Sequence, residues 1–116
     1  MDSATLDAAL AAQRGYFATG ATLALEARRA ALRRLYGELR RREGDVAAAL
    51  RADLGKCPEE AYMCETGLLL GGIRYLERHL PALMRARRAP TPLTQFRARS
   101  FVSPSPLGAV LIISPW

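Results

Sequence analysis

Close to its C-terminal end the chain carries Ala109-Val110-Leu111-Ile112-Ile113, five apolar residues in a row between Gly108 and Ser114. A strand with one wet face alternates apolar and polar side chains, and this run does not. Apolar residues on both faces are the pattern of a strand buried on both sides, most often inside a parallel sheet covered by helices. Parallel neighbours are joined by crossovers of a dozen or more residues. The chain has no second run of this kind. The other strand candidate, residues 99–102, is short and flanked by charge, and an isolated hairpin is marginal in water. The expectation is therefore a central strand, residues 107–113, whose sheet neighbours lie outside this chain.

Everything before that run reads as helix. Ser3 is placed to cap a first helix carrying Leu6, Leu10 and Phe17, with Thr19-Gly20 as its end signal. Thr22 is placed to cap a second, with Leu25, Leu32, Leu35, Tyr36 and Leu39 on one stripe and arginines over most of the rest. Gly44 breaks that pattern. Asp45 then opens a short third helix on Val46, Leu50 and Leu54, closed by Gly55 as a left-handed terminal residue. Pro58 suits the first turn of a fourth helix, with Glu59 and Glu60 near its positive end. Its expected stripe is Tyr62, Leu69, Ile73, Leu76, Leu80 and Leu83. Gly71-Gly72 inside it predicts a close neighbour, and Pro81 predicts an end or kink near His79-Leu80.

The fold class expected is thus mainly α, about four helices, followed by two β-strands. The organisation follows: residues 1–84 helical, 85–98 an extended basic connector, and 99–116 two strand segments. The connector, "RARRAPTPLTQFRAR" with its final Arg99, has no periodicity and five arginines.

A length of 116 residues suits one domain with a modest core. Half the residues are hydrophobic and 24% charged, which is globular and not disordered composition. Net charge is +6, and Lys56 is the one lysine among 17 basic residues. The acidic start "MDSATLDAAL" is unlike a secretory signal, and no apolar stretch reaches the ~20 residues that span a bilayer. These features predict a cytoplasmic chain with no membrane segment. Cys57 and Cys64 on one helix would be ~10 Å apart in rise, beyond a disulfide's reach, so reduced thiols are expected.

No catalytic constellation stands out in the residues. The single histidine, His79, reads as a surface or helix-capping residue. Cys57, Cys64 and His79 lack the spacing of a zinc site. Glu60 and Glu65, five apart, fall about 500° apart around an α-helix and make no carboxylate pair. "GLLLGG" lacks the lysine and the strand of a phosphate loop. The arginines interleave with only Phe96 and Phe101, thin for a base-stacking platform.

"PLGAVLIISPW" resembles the segment that leads into the Pro-Trp-Asn signature of aldehyde dehydrogenases. Upstream, Phe17-Ala18-Thr19-Gly20 with Thr22, Glu26 and Arg28 is similar to that family's early "F-x-x-G-x-T-x-x-x-E-x-R" stretch. Asp53-Leu54-Gly55-Lys56 resembles its D-L-x-K turn, and Glu60-Ala61-Tyr62 with Glu65 the helix that follows. Thr91-Pro92-Leu93-Thr94-Gln95 is similar to the connector of the class 3 and fatty aldehyde branch; Ala21 departs from that branch, which usually has lysine there.

The resemblance implies the N-terminal part of the α/β aldehyde dehydrogenase fold. Residues 1–84 would pack on the cofactor domain, and residues 99–102 would join the oligomerisation sheet. The terminal run would be the first Rossmann-like strand. Ser114, Pro115 and Trp116 would then wall the NAD or NADP pocket through side chain and backbone, the only residues here near the active site. The implied whole enzyme is an NAD(P)-dependent homodimer oxidising an aldehyde to a carboxylate. Its cysteine nucleophile, glutamate base and oxyanion-hole asparagine would lie downstream, and neither Cys57 nor Cys64 matches the nucleophile. The partner implied is the remainder of the same polypeptide, and no catalytic residue, metal or tightly held cofactor is expected within residues 1–116. Two other readings stand beside this one: a basic helical nucleic-acid-binding module, and a remnant that associates with full-length enzyme subunits.

Overall fold

The structure, a computed structural model, describes residues 2–113. Among the described residues, five α-helices, the last two joined by a π turn, precede a two-stranded antiparallel sheet. The chain divides into two compact units, residues 28–83 and residues 1–27 with 84–116.

Helix α1 (Ser3–Ala18) is capped by Asp2, one residue before the expected Ser3. The Asp2 carboxylate accepts from the Thr5 backbone N–H at 3.0 Å and from the Thr5 hydroxyl, and these bonds hold it below the usual carboxylate range. Thr19 closes the helix, and Gly20 follows at φ 75°. Helix α2 (Leu25–Arg41) begins three residues after Thr22, which lies in the preceding turn.

Only Arg42 separates α2 from α3 (Glu43–Leu54), so α3 starts before the expected Asp45 cap. The junction is held electrostatically. Glu38 accepts from Arg41 at 2.5 Å and 3.0 Å and from Arg42 at 2.7 Å. These guanidinium bonds, Arg41's first, pull the Glu38 pKa down to about 2. Gly55 ends α3 at φ 70°, donating to the Arg51 carbonyl at 3.0 Å, as its sequence position predicts.

The fourth helical run starts with Pro58 in its first turn, as expected, and passes through three stretches. These are α4 (Pro58–Ala61), a π turn (Tyr62–Thr66) and α5 (Gly67–Met84). The π turn inserts an extra residue and changes which side chains face inward. The buried residues are Ala61, Thr66, Leu70 and Ile73. Ala61 and Thr66 are five apart, a spacing that an unbroken α-helix would splay by roughly 140°. Of the expected stripe, Ile73 is buried, whereas Tyr62, Leu69, Leu76 and Leu83 are exposed.

Two further expectations for this helix are corrected. Pro81 does not end the helix, which runs on to Met84. Proline forfeits its own N–H bond to residue 77 and crowds that residue's carbonyl, a cost confined here to the penultimate turn. Nor does anything pack closely on Gly71-Gly72: a Cβ at either position would meet no described atom within 4 Å. The close approach is at Gly67, where a Cβ would lie 2.7 Å from the Tyr62 carbonyl oxygen.

The sheet also differs from expectation. Strand β1 (Arg87–Ala89) lies inside the stretch read as an unpaired connector, and β2 (Ser100–Val102) falls where residues 99–102 were expected. They pair antiparallel, Arg87 opposite Val102, Arg88 opposite Phe101, Ala89 opposite Ser100. Residues 107–113 form no strand, and Val110, Leu111, Ile112 and Ile113 are all exposed. A strand exists through its ladder, and this run pairs with no strand among the described residues. The mainly helical class with two strands therefore holds, with β1 in place of the terminal strand.

Candidate functional site

The residues assigned to the cofactor pocket by resemblance, Ser114, Pro115 and Trp116, lie outside the described residues. The segment leading to them is fixed at Gly108. Its φ is 89°, a region L side chains rarely adopt, and a Cβ there would sit 3.6 Å from the Phe17 ring of α1. The approach to the expected pocket thus turns beside the first helix before residues 109–113.

In residues 28–83, Arg33 Nε donates to Glu77 Oε1 at 2.5 Å, joining α2 to α5. Close by in sequence, the Arg74 guanidinium lies over the Tyr36 ring, 4.7 Å from its centroid. Leu39, Val46, Leu50, Glu65, Thr66 and Leu69 line an open, largely apolar groove of about 390 Å³. A smaller one, about 210 Å³, is lined by residues that include Gly44, Pro58, Tyr62 and Thr66. Thr66 borders both because the π turn places it between α3 and the rest of its own helix.

The most concentrated polar chemistry sits at the same turn. Lys56 Nζ donates to Glu65 Oε1 at 2.5 Å, which holds the ammonium above its ordinary value. Cys64 and Glu60 add smaller contributions in the same direction. Two carboxylates that α-helical geometry would separate therefore act on one cation, a relationship invisible to a sequence reading that assumed unbroken α-helix. Both cysteines are exposed and neither lies in a disulfide. His79 Nδ1 lies 2.8 Å from the Tyr75 carbonyl oxygen and its ring stacks on Tyr75 at 4.0 Å. It is a half-buried mid-helix residue rather than a cap. Among the described residues no cluster of His, Cys, Asp and Glu could hold a metal ion. No described helix is long and apolar enough to cross a membrane.

The described residues thus hold structural ion pairs, an open apolar groove and an uncovered apolar run, without a nucleophile–base pair. The chain is 43% identical over 86 residues to rat aldehyde dehydrogenase family 3 member A2, covering 74% of this chain and 17% of the relative. It is 37% identical over 100 residues to family 3 member H1 of Arabidopsis thaliana, covering 86% and 21%. It is 33% identical over 103 residues to the 4,4'-diaponeurosporen-aldehyde dehydrogenase of Staphylococcus aureus, covering 89% and 22%. The chain therefore spans about a fifth of the length of these relatives. The pattern that describes the aldehyde dehydrogenase family matches residues 1–116 throughout, and the chain belongs to that family.

Proposed function

We propose that this chain is the N-terminal segment of an NAD(P)-dependent aldehyde dehydrogenase of the class 3-like branch, oxidising an aldehyde to a carboxylate. The observation that carries the reading is the match to family 3 relatives along most of the chain, joined to residues 107–113, apolar on both faces and exposed. Burying that run needs further strands, and the relatives are several times longer.

In this reading residues 107–113 become the first strand of the cofactor domain once its neighbours pair with it. Ser114, Pro115 and Trp116 then border the nicotinamide end of the pocket. Gly108 and Phe17 set the direction from which the strand enters. Residues 1–84 pack their apolar surfaces on the cofactor domain, and the outer edges of β1 and β2 extend into a sheet that supports a homodimer. The enzyme acts in the cytoplasm.

The residues present offer no nucleophile for the reaction. Cys57 follows Lys56 and Cys64 lies in the π turn, both far in sequence from the residues assigned to the pocket. Their replacement by serine in the whole enzyme leaves aldehyde oxidation intact in this account. Loss of turnover in the folded Cys57→Ser, Cys64→Ser enzyme would overturn that assignment. Isothermal titration of NAD into residues 1–116 should give no heat of specific binding, and micromolar affinity would contradict the division of labour.

A further inference from the structure

The long helical run changes register at the π turn, and the change decides which side chain meets α3. On either side the backbone is ordinary α-helix: Ala61 has φ −58° and ψ −40°, Gly67 φ −65° and ψ −41°. Between them the Gly67 N–H donates to the Tyr62 carbonyl, where a continuous α-helix would use that of Met63. Both α4 and the π turn pack on α3. In a continuous α-helix Tyr62 would stand one turn before Thr66, and the inserted residue puts Ala61 there instead. Ala61 is 1% and Thr66 4% exposed, covered by this chain's own residues, while Tyr62 stays outside at 43%.

A side-chain bond spans the turn. Lys56 stands just before Cys57 and Pro58 at the head of α4, and Glu65 lies inside the π turn. Lys56 Nζ donates to Glu65 Oε1 at 2.5 Å, with 20% of the Lys56 side chain and 45% of Glu65 exposed. Removing the insertion while α5 keeps its place would rotate α4 by about 100°. Lys56, carried at the head of α4, would turn with it and leave Glu65. The bond is therefore made in one register and not in the other, and a contact made in only one of two states shifts the balance toward that state. Helix α5 has anchors beyond the turn, Leu70 and Ile73, both buried, and the Arg33–Glu77 pair.

We propose that the π turn is a two-register device latched by the Lys56–Glu65 pair. In the latched register Ala61 faces α3. In the other the run is continuous α-helix, and Tyr62 takes that place. Loss of the pair raises the share of the second register. The small Ala61 lets α4 lie close to α3, whereas a phenol in its position would push the two apart. Gly67 is the second part of the device. A Cβ there would lie 2.7 Å from the Tyr62 carbonyl oxygen and 3.2 Å from the Tyr62 ring, so the latched register requires glycine. Every group involved belongs to the unit of residues 28–83. Lys56, Glu65 and Gly67 are positioning residues, acting on the packing of α4 against α3.

The test is thiol labelling of the full chain with Cys57 and Cys64 replaced by serine, comparing A61C with L70C. Both introduced thiols should label slowly. K56M and E65Q should each raise the A61C rate about threefold to fivefold, the size expected of an ion pair partly open to water, and leave the L70C rate unchanged. K56M/E65Q should match the single variants, and the charge swap K56E/E65K should return the rate toward that of the parent. G67A should raise it further, again at A61C alone. Far-ultraviolet circular dichroism confirms that each variant is folded. With no thiol introduced, exchange of the Gly67 amide hydrogen, whose acceptor differs between the registers, should quicken by a similar factor in K56M. Equal acceleration at A61C and L70C would show that the pair stabilises the unit as a whole, and would overturn the proposal. So would an unchanged A61C rate, an unchanged Gly67 exchange rate, or a charge swap that labels as fast as K56M.

Discussion

Arg33 Nε donates to Glu77 Oε1 at 2.5 Å, across 44 residues of sequence, and is a polar tie between α2 and α5. Arg33 is 61% exposed, so solvent screens the pair. A double-mutant cycle of Arg33→Met and Glu77→Gln, read by urea unfolding, should give a coupling below about 1 kcal/mol that fades with salt. A coupling of several kcal/mol would mean that the pair is far less hydrated than its exposure indicates.

Glu38 gives the junction of α2 and α3 a pH dependence. Its folded pKa of about 2 lies below the ordinary 4.5, because Arg41 and then Arg42 hydrogen-bond the charged form. The stabilisation is fully present above about pH 4.5, where the unfolded chain is also ionised, and is lost as pH falls toward 2. Glu38→Gln should remove part of the acid-induced drop in melting temperature between those limits. Identical acid profiles for parent and variant would show that the carboxylate carries no linkage.

Gly67 is the residue on which the π turn depends. Its N–H donates to the Tyr62 carbonyl, and a Cβ would lie 2.7 Å from that same oxygen. Gly67→Ala should cost about 1–3 kcal/mol in urea unfolding, the usual range for forced overpacking. Gly71→Ala and Gly72→Ala, with open space around each, should instead gain up to about 1 kcal/mol from helix propensity. Equal effects at the three positions would contradict the assigned geometry.

This contrast shows where the sequence was readable. Helix number, Gly55 as a left-handed terminus and Pro58 in a first turn follow from local chemistry, and the structure has all three. The π turn does not follow from it, because an inserted residue leaves no mark in a 3.6-residue period except a stripe displaced by one position. That displacement buries Leu70 in place of Leu69 and sets Glu65 against Lys56. Strand β1 was hidden for a different reason. Arg87-Arg88-Ala89 has no strand-like pattern, and its pairing with Ser100–Val102 is a tertiary event. The apolar run 107–113 has the pattern of a strand, but a strand's pairing partners are non-local, and among the described residues the run pairs with none.

Gly108 tests the entry to that run. At φ 89°, Gly108→Ala should destabilise the unit formed by residues 1–27 and 84–116 by about 1–2 kcal/mol, the cost of a left-handed L residue. The effect should appear as loss of hydrogen-exchange protection in α1 near Phe17. Unchanged protection would separate the turn at Gly108 from the packing of α1.

The central claim is that residues 1–116 contribute scaffold and pocket wall to an aldehyde dehydrogenase whose reacting groups lie elsewhere in the polypeptide. The direct measurement is reduction of NAD or NADP in the presence of an aldehyde. Purified residues 1–116 should be compared with the product of the whole reading frame that contains them. The account predicts aldehyde-dependent cofactor reduction by the longer product and none by residues 1–116. Turnover by residues 1–116 alone, or an inert but folded longer product across a panel of aldehydes, would contradict it.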